Sequence, residues 1–411
     1  MNLSVRRAPL RAILALAVLA AALTVALAII PPPSGAAPDT AAAQAKKPRK
    51  PKPKQVSVMS RNVYLGADLT DAIEAQNLGQ LNLATQQIWD DVAENDFPAR
   101  AELLAKEISQ KKADVVGLQE VALWRYDPPN SPGGFGDGPA TPATEVRYDF
   151  LGLLMDELGA KYRVVRSQEQ FDFEAPLRSG GDFEGGDGRL TMRDVIIARK
   201  GAGVKTSNPQ SGSYRTSYSP SVGGQEVTVL RGWTSAEVNA RGARFKFVNT
   251  HLESFDNDVK LAQAKELVAR RSDDYSAGPA NPQASKLPIV LVGDLNSDDE
   301  IVERLGDSEG HRNDEKPYAA IRRSGFTERS PDKEGLAKDV LSCCVNGSVI
   351  DAEPGSEAAE LTHIIDHVLV DDPKIKLAAS AVTGRNQRTE SGLSASDHSG
   401  VFSKLSFPPK R

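Results

Sequence analysis

Short apolar runs, many of them β-branched, recur along the chain and stop at polar or acidic residues. The clearest is Ile289 to Val292, inside Leu287-Pro288-Ile289-Val290-Leu291-Val292-Gly293-Asp294-Leu295-Asn296-Ser297. An uninterrupted apolar run of this length predicts a strand covered on both faces. Asp294 and Asn296 follow two residues apart, which in an extended segment puts both on one side. Further strands are predicted at 56–62, 113–121, 162–166, 193–199, 364–370 and 401–407. Residues 227–238 and 243–248 flank Ala240-Arg241-Gly242 and read as a hairpin.

Between these runs the apolar spacing changes to three and four. It predicts helices at 98–111, where Leu103, Leu104, Glu107 and Ile108 recur, and at 148–158. A third spans 256–271, with Leu261, Ala264, Leu267 and Val268 on one face, and a fourth 318–324. Helical patterning also runs from 69 to 89, and Pro98 suits a first turn. Residues 124–145 read as a Pro/Gly loop whose Trp124, Tyr126 and Phe135 suit a substrate rim. Residues 207–224 read as a Ser/Tyr/Gly-rich loop. The acidic stretch 180–188, with Asp182, Glu184 and Asp187, lacks EF-hand spacing and reads as a solvated loop. No internal repeat and no Pro-rich linker interrupts 55–408, so one α/β domain is expected there.

The first residues follow a different pattern. Arg6, Arg7 and Arg11 precede an apolar run from Ala12 to Ile30, and Ala43-Gln44-Ala45 supplies a small-residue cleavage site. Residues 1–45 therefore read as a secretory signal peptide, although the run is long enough for an uncleaved membrane anchor. Residues 46–54 (KKPRKPKPK) form a basic Pro/Lys tether, kept open by charge and proline. It could touch an anionic membrane or cell envelope. Losing three Arg and Asp39 with the signal takes the formal charge from −5 to −7. A net-acidic chain carries no compositional sign of nucleic-acid affinity. The cysteines, Cys343 and Cys344, are adjacent, so they form no disulfide framework; a vicinal disulfide and two buried thiols both remain open.

Candidate chemistry sits at the strand edges. The first strand ends at Asn62, and the second carries Glu120 near its end, where an unpaired carboxylate would be costly to bury. Of five histidines, His251, His367 and His398 each lie in a polar cluster beside an apolar strand. Ser60-Arg61-Asn62, Leu118-Gln119-Glu120-Val121, Asn249-Thr250-His251-Leu252, Gly293-Asp294-Leu295-Asn296, Ile365-Asp366-His367 and Ser396-Asp397-His398 occur in that order. Together they resemble the endonuclease/exonuclease/phosphatase superfamily, in particular its deoxyribonuclease-I-like and sphingomyelinase-like branches, over about residues 56–404.

The resemblance implies a four-layer α/β sandwich, two mainly antiparallel β-sheets packed face to face with helices outside. It implies that Glu120 holds a divalent metal, usually Mg²⁺ with Mn²⁺ as an alternative, with Asn62 and Asp397 beside it. Asp294 would orient or deprotonate the attacking water, and Asn296 would bind a phosphoryl oxygen, as would Asn62. His398 would be the essential histidine, oriented by Asp366, and His251 the second histidine of the nuclease and sphingomyelinase branches. No role transfers to His367, which reads as structural.

Phosphate chemistry agrees with these residue types. An acid-rich site repels an anionic ester unless a cation intervenes, and Mg²⁺ needs only one or two carboxylates. The chain has no G-x-S-x-G elbow and no G-x-x-x-x-G-K-[ST] loop, which excludes two other hydrolytic designs. The expectation is a secreted, monomeric phosphodiesterase acting on nucleic acid or phospholipid. An inositol-phosphate phosphomonoesterase would need converging basic residues, for which Arg193 and Arg231 are the nearest candidates. A non-catalytic binding module on the same scaffold is the remaining alternative.

Overall fold

The computed structural model describes residues 52–129, 134–139, 141–177, 185–270, 277–298, 315–331, 340–344, 361 and 363–409. The signal segment and most of the tether lie outside these residues, as do Asp182 and Glu184. The last tether residue, Lys54, opens a strand. No described helix is long and apolar enough to cross a membrane.

Strands β1 (Lys54–Asn62), β2 (Val115–Gln119), β3 (Leu123–Asp127), β4 (Glu145–Asp149), β5 (Tyr162–Pro176) and β6 (Asp187–Arg199) lie in one sheet. β7 (Val204–Ser213) opens the second sheet, and β8 (Ser221–Val222) pairs with β9 (Gln225–Glu226) in a separate two-stranded sheet. β10 (Gly232–Ala240), β11 (Ala243–His251), β12 (Ile289–Asp294), β13 (Thr327–Glu328) and β14 (Asp366–Val370) complete the second sheet. β15 (Lys376–Thr383) and β16 (Gly400–Phe407) return to the first. The β1–β2 and β11–β12 pairs are parallel and the other pairs antiparallel.

Side-chain alternation explains the apolar runs. Val56 and Val58 of β1, Val115 of β2 and Ile196 of β6 meet Phe245, Phe247, Val290, Val292 and Val368 of the second sheet in one buried cluster. Their neighbours face outward. Met59, Val116, Leu118, Val195 and Ile197 pack beneath α2 (Leu78–Glu94), α3 (Phe97–Lys111) and α4 (Phe150–Leu158), which follow the one-turn α1 (Thr70–Ile73). Val248, Ile289, Leu291 and Leu369 pack against α5 (Asn257–Val268) and α6 (Glu315–Arg323). Both faces of the central strands are therefore apolar because each sheet is covered twice. The four-layer sandwich of two mainly antiparallel sheets is as expected.

Several local readings differ. The helical pattern at 69–89 breaks at Asn77, whose side chain accepts from Gln80 N (3.1 Å) while Gln80 Oε1 accepts from Gln76 N (2.8 Å). That reciprocal cap starts a new helix. The Ser-rich segment read as loop from 207 is half strand, because β7 pairs along β10 at the sheet edge. Backbone pairing there overrides composition. β5 runs ten residues past its expected end at 166, to Pro176, since β6 offers a partner as far as Asp187. The aromatic loop is the largest correction. Trp124 and Tyr126 sit on β3, buried against the outer helices, and Trp124 Nε1 donates to Leu65 O (2.9 Å). Phe135 packs edge-on to Phe173. These rings do not form an exposed rim.

Candidate active site

The inner-face rows turn polar at one end of the sandwich. Val56 and Val58 give way to Ser60 and Asn62, Phe245 and Phe247 to Asn249 and His251, and Val290 and Val292 to Asp294. In the antiparallel β14, Asp366 stands at the same end as the start of the row Val368, Val370. Register then sets these residues side by side: Asn62 opposite Gln119, His251 opposite Asp294, and Asp294 opposite Asp366. Gln119 Nε2 donates across the sheets to Asn249 Oδ1 (2.6 Å), and Asn249 Nδ2 to Leu118 O (3.1 Å). A Cβ at Gly117 would press on Asn249 and approach Val292 Cγ2 to 2.6 Å, so the sheets close up beneath the site only around a glycine.

Glu120 follows β2 with φ of 58°, a turn that swings its carboxylate toward β1. Oε2 accepts from Leu65 N (3.0 Å) and Oε1 from Asn62 Nδ2 (2.8 Å). Asn62 Nδ2 also donates to Asp294 Oδ2 (3.0 Å), while its Oδ1 accepts from Tyr64 N (2.9 Å). Asn62 thus turns N–H donors toward the acids, a disposition that suits a phosphoryl oxygen better than a cation. His398 Nδ1 donates to Asp366 Oδ2 (2.8 Å). Its Nε2 lies 3.4 Å from Asn62 Nδ2 and 3.6 Å from Asp294 Oδ2. The Asp366–His398 pairing expected from sequence is therefore formed across 32 residues.

Electrostatics give the two histidines opposite states. Burial alone would lower the His398 pKa, but Asp366, Asp397 and Asp294 outweigh it and hold the ring protonated. His251 is pushed well below its usual range by burial, with Arg231 and His398 adding to it, so it is neutral. Its Nε2 lies 3.6 Å from Asp294 Oδ2. Arg231, buried beside it, places Nη1 3.2 Å from His251 Nδ1 and Nε 3.5 Å from Glu253 Oε2. Arg231 had no strand-end motif to mark it; only its place immediately before Gly232, the residue opposite His251 in the β10–β11 pair, brings it here.

Asn296 reaches the site differently from the expected extended segment. β12 stops at Asp294, and Asn296 N donates to Asp294 Oδ1 (2.9 Å) with Asn296 at φ of 45°. This Asx turn points the Asn296 amide at His251 Nε2 (3.0 Å) and Leu252 O (3.0 Å). Asp397 faces the same cleft as Glu120. His367 falls on the opposite face of β14, where Nδ1 meets Glu328 Oε2 (3.1 Å) and Nε2 meets Ser297 O (3.1 Å), consistent with a structural ring. Arg193 is spent on Asp149 (2.6 Å) and on the carbonyls of Val121 and Ala122. Cys343 and Cys344, with their sulfurs in bonding contact, lie against His398.

The donor set fits a hard divalent cation. Glu120, His251 and Asp294 bring ligand atoms within 4.8 Å of one another, and Asp397 lines the same cleft. Burial, then the neighbouring Asp397, pushes the Glu120 carboxyl up, and burial does the same to Asp294. A cation would reverse that cost by favouring the ionised oxygens.

A family model described as the Endonuclease/Exonuclease/phosphatase family matches residues 79–398. No curated protein matches the chain. Among solved structures, the chain is similar to an endonuclease/exonuclease/phosphatase family protein from Bacteroides thetaiotaomicron, with 16% identity and a TM-score of 0.47 over 87% of this chain and 100% of that one. It is similar to a mannosyl-6-phosphatase from the same organism, with 18% identity and a TM-score of 0.45 over 86% and 100%. A TDP2 from D. rerio complexed with single-strand DNA product shares 16% identity, with a TM-score of 0.43 over 85% and 98%. The chain belongs to the endonuclease/exonuclease/phosphatase family, whose members are hydrolytic enzymes acting on phosphoester bonds and generally use divalent metals.

Proposed function

We propose that this protein is a secreted, divalent-metal-dependent phosphodiesterase that hydrolyses its substrate by in-line attack of water. The observation that carries this reading is the contact network that joins Asn62, Glu120, His251, Asp294, Asp366 and His398, with Glu120 and Asp397 lining the adjoining cleft. Glu120 and Asp397 would hold Mg²⁺ or Mn²⁺, which when bound offsets the charge of the phosphoryl group. The Asn62 amide donates to a phosphoryl oxygen. Asp294 orients the water, whose proton passes to the Asp294–His251 side, where His251 is neutral. The leaving oxygen takes a proton from His398, which Asp366 orients. Asn296, bonded to His251 in this arrangement, positions that ring and could turn to a phosphoryl oxygen.

The cleft bears on substrate. It encloses about 280 Å³ and is lined by apolar Leu69, Ile73, Phe171, Val229 and Phe255, with Arg231 the one basic side chain among its described lining. Behind it lies an apolar pocket of about 50 Å³ that shares Leu69, Ile73, Phe171 and Val229. Such a lining favours a phosphodiester with an apolar substituent, as in a phospholipid, over a polyanionic inositol phosphate or a long nucleic acid. Turnover of bis-p-nitrophenyl phosphate with and without EDTA tests the chemistry. Activity that EDTA leaves intact, or none with any divalent ion, would refute it and favour a binding module. Parallel assay of sphingomyelin liposomes, plasmid DNA, RNA and inositol phosphates tests the substrate class. Mass analysis of secreted material should find a mature chain beginning near Lys46; an intact N-terminus in the membrane fraction would favour an anchor.

A further inference from the structure

Nothing in the chemistry above uses sulfur, yet two cysteines touch its central histidine. Cys343 Sγ lies 3.4 Å and Cys344 Sγ 4.0 Å from His398 Nε2, the nitrogen that faces Asp294. The three donor atoms all fall within 4.8 Å of one another. The sulfurs are held there by backbone anchored on both sides. Ser342 O accepts from Ser399 N (2.7 Å), and Ser342 Oγ accepts from Asp366 N (3.2 Å). Cys343 and His363 exchange backbone hydrogen bonds at 3.1 and 2.6 Å. Cys343 is fully buried, whereas Cys344 is half-buried and lines the cleft, open to solutes.

Two sulfurs and an imidazole form a soft donor set, unlike the carboxylates of Glu120 and Asp397. Tetrahedral zinc, with Zn–S of about 2.3 Å and Zn–N of about 2.0 Å, requires an S···N separation of about 3.5 Å. The two observed distances bracket that value. We propose that, once the cysteine pair is reduced, Cys343, Cys344 and His398 bind a soft divalent cation such as Zn²⁺ and so withdraw His398 from catalysis. The reductant is a dithiol. It gives two electrons to the Cys343–Cys344 bond and becomes its own disulfide, while its two protons pass to the cysteines. Binding of the cation then releases both thiol protons and the Nε2 proton to solvent. Paired sulfurs offer no thiolate, so the oxidised protein lacks the site. Only the inhibitory consequence rests on the phosphoesterase reading; the site itself does not.

Co²⁺, which gives thiolate-to-metal charge-transfer absorption, is the probe. Protein reduced with dithiothreitol and desalted anaerobically is titrated with Co²⁺ in excess Mg²⁺, beside oxidised protein. The expected result is a charge-transfer band that saturates at one equivalent, disappears on adding Zn²⁺, and is absent from the oxidised sample. With Zn²⁺ at about ten times its Kd, mass action leaves about a tenth of the sites free, so turnover of reduced protein falls about tenfold while oxidised protein is spared. The Cys343→Ser/Cys344→Ser double variant keeps turnover and loses band and inhibition. Folded, reduced protein without the band overturns the site, whether or not any phosphoester is cleaved. A band with undiminished turnover, or equal zinc inhibition of oxidised and reduced protein, overturns the block on His398.

Discussion

Replacing Asp366 by Asn changes charge at the site with almost no change of shape. The Asn side-chain oxygen can still accept from His398 Nδ1, as Asp366 Oδ2 does at 2.8 Å, so ring orientation is kept. What goes is the carboxylate nearest to the imidazolium. Opposite charges about 4 Å apart interact by about 4 kcal/mol at an effective dielectric constant of about 20. Each 1.36 kcal/mol is about tenfold in rate, so kcat should fall by roughly 10²- to 10³-fold. The pH dependence has a definite sign. Asp366 is one of the acids that raise the His398 pKa, so its loss lowers that pKa. A reaction needing protonated His398 then fails at lower pH, and the alkaline limb of the rate profile moves toward neutrality. Some stability is lost with the pair, because buried His398 keeps its hydrogen bond but loses its nearest charged partner. Initial rates on bis-p-nitrophenyl phosphate at saturating Mg²⁺, read beside thermal unfolding, would check this. A loss below about tenfold, or an unmoved alkaline limb, would refute the Asp366–His398 argument. A loss matched by unfolding would mean that Asp366 is structural.

Glu120→Gln removes a charged oxygen from the acid group facing Asp397, so the Mg²⁺ concentration for half-maximal rate should rise at least about tenfold; an unchanged requirement would place the cation elsewhere. Trp124→Ala should cost about 3–5 kcal/mol of stability, because the ring is buried against Trp89 and Tyr126's layer rather than exposed. Denaturant unfolding measures that cost, and an unshifted midpoint would restore the surface reading. Asp371 is pushed up to about 6, chiefly by burial, while accepting from Ile289 N (2.7 Å). A raised acid holds its proton better when folded, so its contribution to stability declines as pH rises from about 4 to about 6. Asp371→Asn should therefore stabilise the protein at neutral pH by about 1 kcal/mol, a figure reduced for partial exposure, and be nearly neutral at low pH. Thermal melts at both pH values would show it; equal effects at the two would contradict the assigned shift.

The sequence by itself determined the central strands and the identities of the residues at their ends. Apolar runs such as Ile289–Val292 are legible because both faces of each central strand are covered, and nothing else tolerates that pattern in so few residues. Strand parity also separates Asp366 from His367, since adjacent side chains point to opposite faces. Only the tertiary structure decided what depends on partners distant in the chain. Trp124 and Tyr126 became core because β6 pairs with β3 and helices cover it, a contact that local Pro and Gly content cannot report. β7 became a strand because β10 supplies its hydrogen bonds. Asn296 reached His251 through an Asx turn, not through extended geometry. Burial, with Arg231 adding to it, set the charge state of His251, and Cys343 met His398 across 55 residues, through packing that no spacing in the chain encodes. Hydrophobic alternation is a local property and survives in one dimension. Electrostatic environment is a sum over neighbours in space, and exists only once the sheets have closed.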